Sequence, residues 1–475
     1  MLNQLYKPTL GLLTDLYQIT MSYGYWKSGR HTAETTFQLF FRKAPFDNGF
    51  AICAGVDTAL ELIEQFRFSE DDVSYLEEQT GNDGQPLFEP AFLNYLQNLE
   101  MTVDIDAVSE GEAVLAHEPI LRITGPIIPC QLLESALLTC INFQTLIATK
   151  SHRVCKAAKE DTVLEFGLRR AQGFDGSISA SRAAYIGGSH ATSNVLAGKL
   201  LGIPIKGTHA HAWVMMFDSE PEAFEAYANA MPNNCVFLVD TYDTLDGVRN
   251  AIQAGKKLRA HGHEMVGVRL DSGDLTALSI SARALLNQAG FSNAKIVASD
   301  SLNEYRIAQL KADGAQIDIW GVGTNLVTAQ DQPALGGVYK LSAQRESPTS
   351  KWVPKIKLSN SPIKVSNPGR LQIYRCFDSD GVWHTDILGT TCPDTDTDVF
   401  SLAGKSVSLP AHCTIVPILT PKMVSGQRVQ SPETIHDCRE RAMTAVRCKE
   451  DLPLLTADTW ATKVALMEKY KPKTR

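Results

Sequence analysis

EFGLRRAQG (165–173), KGTHAHAW (206–213), LVDTYD (238–243), VRLDSGDL (268–275), ASDSLNE (298–304) and WGVGTN (320–325) share one design. Each closes a short apolar run, shaped like a buried strand, with residues able to bind phosphate, carboxylate or metal. Between Thr162 and Leu341 these runs alternate with helical stretches. Several of the stretches end at glycines placed as C-terminal caps, namely Gly202, Gly262, Gly290 and Gly314. Strict alternation makes a parallel sheet or barrel whose strand C-termini converge on one face. The polar stops are therefore expected to meet there, as the groups of an enzyme site do. Strand candidates are 162–167, 203–207, 235–240, 265–271, 295–299, 317–322 and 336–341. Six or seven such units suit an irregular, TIM-like α/β barrel better than an open sheet.

The flanks read differently. Upstream, Thr14 is placed to cap a helix through Leu16, Ile19 and Tyr23 to Trp26, and Phe37, Leu39 and Phe41 alternate with polar residues as in a half-buried strand. Val56, Leu60 and Ile63 form one helix face, Ser69 with Asp72 opens another helix, and strand-like runs follow near 102–107, 112–116 and 120–124. This predicts an N-terminal α+β domain over 1–130. Pro129 then opens a long apolar-periodic stretch, Leu132 to Ala158, leading into a catalytic barrel over 131–342. From 343 to 475 the pattern loosens into short strand-like pieces such as LQIYRCF and GVWHTDIL, a smaller C-terminal region expected to stand alone or to return to the N-terminal domain.

Bulk properties exclude several function classes. The formal charge of -8 and pI near 5.8 argue against neutralising nucleic acid over a broad face, so any phosphate site must be a local cationic pocket. Ten cysteines include no CxxC pair, and several sit inside apolar patterns, as reduced thiols of a cytoplasmic protein do. No apolar run approaches the ~18 residues of a membrane span, and no secretory leader is visible, so no membrane partner is expected.

Each stop carries a chemical reading and a structural one. Asp271 and Asp274 flank a Ser272-Gly273 turn, so two hard carboxylates can share a magnesium ion with substrate phosphates; alternatively an Asp here caps the next helix. Arg269 shares the strand face of Asp271 and offers a planar fork to carboxylate or phosphate. Gly321, Gly323 and Thr324 end a late strand, either as a backbone phosphate cradle or as a tight turn. Arg169 and Arg170 lie just past a strand end, in a phosphate clamp or simply in solvent. Thr192 and Ser193 bring hydroxyls to a helix start, and Asp240 and Asp300 end strands where a sugar hydroxyl would be accepted. His209 and His211 form an incomplete metal pair, so each is either a satisfied core histidine or a nucleophile.

Taken in order, TDLYQITMSYGYW (14–26), FGLRRAQGFDG (166–176), GTHAHAW (207–213), DTYDTLDGV (240–248), VRLDSGDL and GVGTN resemble the signatures of the nicotinate phosphoribosyltransferase family from Thr14 to about Leu341. The resemblance implies attack of the nicotinate nitrogen on 5-phosphoribosyl 1-pyrophosphate, forming nicotinate mononucleotide and pyrophosphate, with ATP as co-substrate and Mg2+ as cofactor. It also implies a homodimer with a shared site. By resemblance, Asp271, Asp274, Ser272 and Gly273 would arrange ribose and magnesium pyrophosphate, with Asp240 and Asp300 as further contacts. Gly321, Gly323 and Thr324 would hold the 5-phosphate. Arg169, Arg170 and Arg269 would neutralise pyrophosphate and the nicotinate carboxylate, Thr192 and Ser193 would face the substrate, and Tyr17 would stack on the pyridine ring from a second subunit. His211 matches the histidine that this family phosphorylates from ATP, with His209 as a competitor for that role. The rival expectations are a nicotinamide phosphoribosyltransferase and a non-catalytic barrel that binds a nucleotide or phosphosugar.

Overall fold

The computed structural model describes residues 9–394, 397–410, 412–445 and 452–470. They form two compact units, one from the residues up to Thr145 together with those from Ala334 onward, the other from Leu146–Pro333.

The first unit opens with a helix at Leu16–Lys27. Asp15 occupies its N-cap position, and the Thr14 hydroxyl, expected there, donates instead to the Leu132 carbonyl at 3.3 Å. The following strand, β1 (Glu34–Phe41), departs from the half-buried reading: all of it but Glu34 is buried. The cause is its central place in a seven-stranded sheet, and its polar side chains find partners inside, Gln38 Nε2 donating to Gly369 O at 2.7 Å and Thr35 to Gly125 O at 3.1 Å. Strands β2 (Phe50–Ile52) and β4 (Ala113–Leu115) pair with each other, while β3 (Asp104–Ala107) and β5 (Leu121–Pro126) join β1 in the large sheet. Ser69 and Asp72 form the expected reciprocal cap at the start of Glu70–Glu77.

The second unit is the alternating segment. Its strands are β6 (Thr162–Glu165), β7 (Ala191–Thr192), β8 (Val236–Leu238), β9 (Gly267–Leu270), β10 (Lys295–Ala298) and β11 (Ile319–Val322). All pairings are parallel and join neighbours in sequence, except that β7 and β8 do not pair, and the last strand, β11, returns to the first, β6. A single bridge between Thr192 and Ile205 marks the place of the strand expected at 203–207. The order is therefore that of an α/β barrel with one seam, between Ile205 and β8, that no described strand ladder crosses. Helices at Phe174–Ile186, Glu220–Ala230, Thr244–Ala260, Leu275–Gln288 and Glu304–Ala312 connect the strands. Gly202, Gly262, Gly290 and Gly314 follow helices with positive φ, as a left-handed C-terminal cap requires.

The run at 336–341 is a strand but not a barrel strand. As β12 (Gly337–Arg345) it pairs antiparallel with β1 in the first unit. The periodicity is correct; the partner is not encoded locally. Downstream, β13 (Val353–Pro354) extends that sheet, and β14 (Gln372–Phe377) and β15 (Trp383–Gly389) form the hairpin at the centre of another six-stranded sheet. Arg375 anchors the hairpin, 3.0 Å from Asp386, 2.9 Å from Glu112 and 3.6 Å above the Trp383 ring. No described helix is long and apolar enough to cross a membrane. The nine described cysteines are free thiols; Cys448 lies outside the described residues.

Candidate active site

At the C-terminal ends of the barrel strands lies a cavity of about 550 Å3, within the usual range for small-molecule sites. Arg169, Arg170, Ser193, His211, Arg269, Asp271, Asp300, Gly321, Gly323 and Thr324 all line it. Segments spread over more than 150 residues of sequence thus meet in one volume, because every parallel strand points its C-terminus the same way.

His211, Asp240, Asp271 and Arg269 form one cluster of ionisable side chains. His211 begins the short helix His211–Met215; its Nδ1 lies 3.1 Å from the Thr241 hydroxyl and its Nε2 lies 3.9 Å from both Asp240 Oδ1 and Asp271 Oδ2. Asp240 is buried behind the cavity wall. Its Oδ2 accepts from Asp271 N at 3.0 Å and from the Ser272 hydroxyl at 2.5 Å, whereas its Oδ1 is buried without a hydrogen-bond partner among the described residues. Asp271 Oδ1 accepts from Arg269 Nη2 at 2.9 Å and from the Ser299 hydroxyl. Arg269 is held further by Ser299 at 2.8 Å and Thr208 at 3.0 Å, so its fork is fixed and partly neutralised. The Arg169 and Arg170 guanidinium groups, by contrast, make no hydrogen bond or ion pair with the described residues and remain available to an anion. Gly321 has no room for a side chain, since a Cβ there would stand 2.7 Å from the Phe166 ring. Asp300 and Ser301 hold consecutive positive φ values of 111° and 47° at the cavity mouth, a strain of roughly 1–3 kcal/mol each that tertiary packing must offset.

The two histidines separate cleanly. His209 is buried, and its Nε2 accepts from the N–H of Leu238 at 3.2 Å, across the seam where β8 has no strand partner on that side. Burial pushes its pKa down to about 4, against a weaker opposing hydrogen bond that its Nδ1–H donates to the Ala210 carbonyl. Held neutral, it binds fewer protons folded than unfolded between about pH 6.5 and 4, so its stabilisation is present above that window and lost as pH falls through it. His209→Leu is expected to cost about 1–3 kcal/mol at neutral pH by orphaning the Leu238 N–H. His209→Gln can place an amide oxygen near the lost Nε2, stay close to wild type at neutral pH and destabilise less between pH 6 and 4.5. Denaturant melts across that range check both; equal acid sensitivity of wild type and His209→Gln would refute the assignment.

Some expected site residues lie elsewhere. Thr192 is buried, its hydroxyl donating to Glu165 Oε2 at 2.6 Å, and Glu165 also accepts from Ser181 at 2.8 Å. The Thr192 hydroxyl is thus spent on a carboxylate behind the wall, and only Ser193 of the pair reaches the cavity. Asp274 spends its Oδ1 on the N–H groups of Thr276 and Ala277, capping Leu275–Gln288 from an exposed position outside the cavity lining. Of the two readings of that residue, the cap is the one observed. Gly273, with φ 82°, makes the tight turn between the acids possible. Tyr17 belongs to the first unit, half-exposed on its helix, with its hydroxyl pKa raised by burial and then by the charge of Glu134. Glu165, Thr208 and Thr241, which orient the site, had no signal beyond ordinary polar residues near strand ends.

Known proteins resemble this chain over most of its length. Residues 12–142 match the nicotinate phosphoribosyltransferase N-terminal domain and residues 162–364 the nicotinate phosphoribosyltransferase family. A nicotinate phosphoribosyltransferase of Bacillus subtilis is 49% identical over 368 residues, covering 77% of this chain and 73% of that protein. One from Dictyostelium discoideum is 42% identical over 426 residues, covering 79% and 70%. The crystal structure of human nicotinic acid phosphoribosyltransferase superposes with a TM-score of 0.84 at 29% identity, covering 95% of this chain and 99% of that one.

Proposed function

This chain belongs to the nicotinate phosphoribosyltransferase family, and from that premise we propose that it joins nicotinate to 5-phosphoribosyl 1-pyrophosphate in NAD salvage, with turnover accelerated by ATP. The observation that carries the reading is the meeting of Arg169, Asp271 and Gly323 in one cavity. The parallel strands bring their ends together, and a guanidinium, a carboxylate and a glycine loop at those ends suit a ligand bearing both charge and phosphate.

The nicotinate nitrogen attacks the anomeric carbon as the bond to the pyrophosphate oxygen breaks, and the bonding electrons leave with pyrophosphate. The ring passes through an oxocarbenium-like state, so its hydroxyls must be held while the leaving group's charge is neutralised. Asp271, locked by Arg269 and Ser299, accepts from the ribose and lies near its developing positive charge. Gly321, Gly323 and Thr324 offer the backbone N–H groups and hydroxyl for the 5-phosphate. The free guanidiniums of Arg169 and Arg170 meet pyrophosphate and the nicotinate carboxylate, with Asp300 and Ser193 at the rim.

The donor set also fits a hard divalent cation. Asp240 Oδ1 is a buried oxygen without a partner, and Asp271 Oδ2 stands as near to His211 as it does. These two carboxylates, rather than Asp274, would hold Mg2+ jointly with substrate phosphates, and the ion would supply neutralisation of the leaving group. His211 Nε2 faces the same volume and is the atom we assign to phosphorylation by ATP, ADP being released and the phosphate later lost to water. His209 is the poorer candidate, since its ring stitches the seam. The pyridine ring would be closed in by Tyr17 from a second copy of the chain in a cytoplasmic homodimer.

The neighbouring reading, a nicotinamide phosphoribosyltransferase, would use one of these guanidiniums for pyrophosphate but would leave the other facing a neutral amide. A non-catalytic phosphosugar-binding barrel lacks a use for the Asp240–His211–Asp271 cluster. Comparing kcat/KM for nicotinate and nicotinamide tests the substrate. We expect nicotinate to be preferred at least about a hundredfold, the size of one charge-assisted contact; equal or reversed values would overturn the choice.

A further inference from the structure

The first unit contains a second cavity, of about 520 Å3, bounded by Arg122, Trp352, Arg370, Tyr374, Thr390 and Thr462. Its cations are not equivalent. Arg122 is paired, Nη2 lying 2.7 Å from Asp106 Oδ2, with a further bond to Leu371 O at 2.8 Å. Arg345, 4.6 Å from the centre of the Trp352 ring, has Glu34 as its partner. Arg370, 5.2 Å from the same ring, makes neither a side-chain hydrogen bond nor an ion pair with any described residue, and its Nε is buried without a partner.

Arg370 is half-buried, and a guanidinium partly withdrawn from water without a bonded counter-charge carries a cost of which a cation–π contact recovers only about 0.5–2 kcal/mol. The acids that act on it are engaged elsewhere: Asp106 is paired with Arg122, and Asp104 accepts from Ser425 N at 2.8 Å. Burial and then the charge of Arg122 push the Arg370 pKa down, with Arg345 adding to them and Asp106 and Asp104 only partly opposing, the net direction expected for a cation without a bonded anion. An aromatic wall, a fixed surplus cation and room for a small molecule occur together.

We propose that this cavity is a second small-molecule site, which takes a metabolite through a phosphate or carboxylate oxyanion set against the Arg370 guanidinium. It is built by residues of the first unit alone and does not depend on the reaction assigned to the barrel.

The test is calorimetric titration of the full chain with inorganic phosphate and, separately, with citrate, alongside Arg370→Gln, Thr462→Glu and, as a marker for the barrel cavity, Arg170→Gln. Wild type and Arg170→Gln should bind at least one of the two anions at a site that both cavity variants lose or weaken about tenfold or more. The anion that binds identifies the oxyanion class. Turnover in anion-poor buffer should be unchanged by Arg370→Gln. Should that variant fold poorly, Thr462→Glu still decides, because it supplies Arg370 with a carboxylate and should raise the melting temperature while blocking the anion. Titration of both cavity variants like wild type, or no anion binding to wild type outside the barrel, would overturn the proposal.

Discussion

Asp271→Ala is expected to lower kcat/KM by at least about a thousandfold while leaving the fold intact. The magnitude follows from the number of tasks meeting at this side chain. Asp271 fixes the Arg269 fork, accepts from Ser299, and presents Oδ2 toward His211 and the cavity. Removing one preorganised electrostatic partner in such a site typically costs two to three orders of magnitude, and here the ribose contact and a metal oxygen would go together. Folding should change by only about 1 kcal/mol, because the Arg269–Asp271 pair is partly solvated and Arg269 keeps Ser299 and Thr208. Asp271→Asn separates shape from charge: it preserves the side-chain volume and should still lose at least about a hundredfold. Steady-state kinetics beside a thermal melt checks both, and near-wild-type activity in either variant would remove Asp271 from the mechanism.

The second large effect concerns ATP. His211→Ala should retain slow formation of the mononucleotide, with ATP no longer accelerating it, whereas wild type should gain roughly 5- to 150-fold from ATP, the usual range of a coupling free energy. A phosphoryl group on Nε2 would add negative charge and three acceptor oxygens beside the Asp240 and Asp271 carboxylates, each 3.9 Å from Nε2, and Mg2+ held by those acids would offset the repulsion and tighten the donor site without entering the product. Incubation with ATP labelled at the γ-phosphate should mark wild type and His209→Gln with an acid-labile group and leave His211→Ala unmarked. Label on His211→Ala, or ATP stimulation that survives in it, would transfer the role to another residue.

Much of this site was legible because buried parallel strands announce themselves as short apolar runs, and their ends must carry whatever faces the cavity. Arg169, His211, Asp271 and Gly323 could be placed together on that ground alone. Local pattern failed where the partner was remote. The strand β12 has the right periodicity at 337–345, yet its pairing with β1 is made across some 300 residues. The burial of β1 on both faces likewise depends on neighbours that its own alternation cannot reveal. Within the site, the difference between Asp240 and Asp274 is one of direction: both end apolar runs, but the first turns inward beneath Asp271 and the second outward onto helix N–H groups. Thr192 and Ser193 divide in the same way, because adjacent side chains at a strand end point to opposite sides, one toward Glu165 and one toward the cavity. Of the two readings of His209, the satisfied core histidine could not be chosen, nor its partner named, without knowing that the ring of strands has a seam.

The central claim, that the strand ends form one phosphoribosyl-transfer site, is tested most directly by following labelled nicotinate with 5-phosphoribosyl 1-pyrophosphate and Mg2+, with and without ATP. Nicotinate mononucleotide and pyrophosphate should form in equal amounts, and faster when ATP is present. Binding of the sugar donor with no mononucleotide formed under either condition would contradict it.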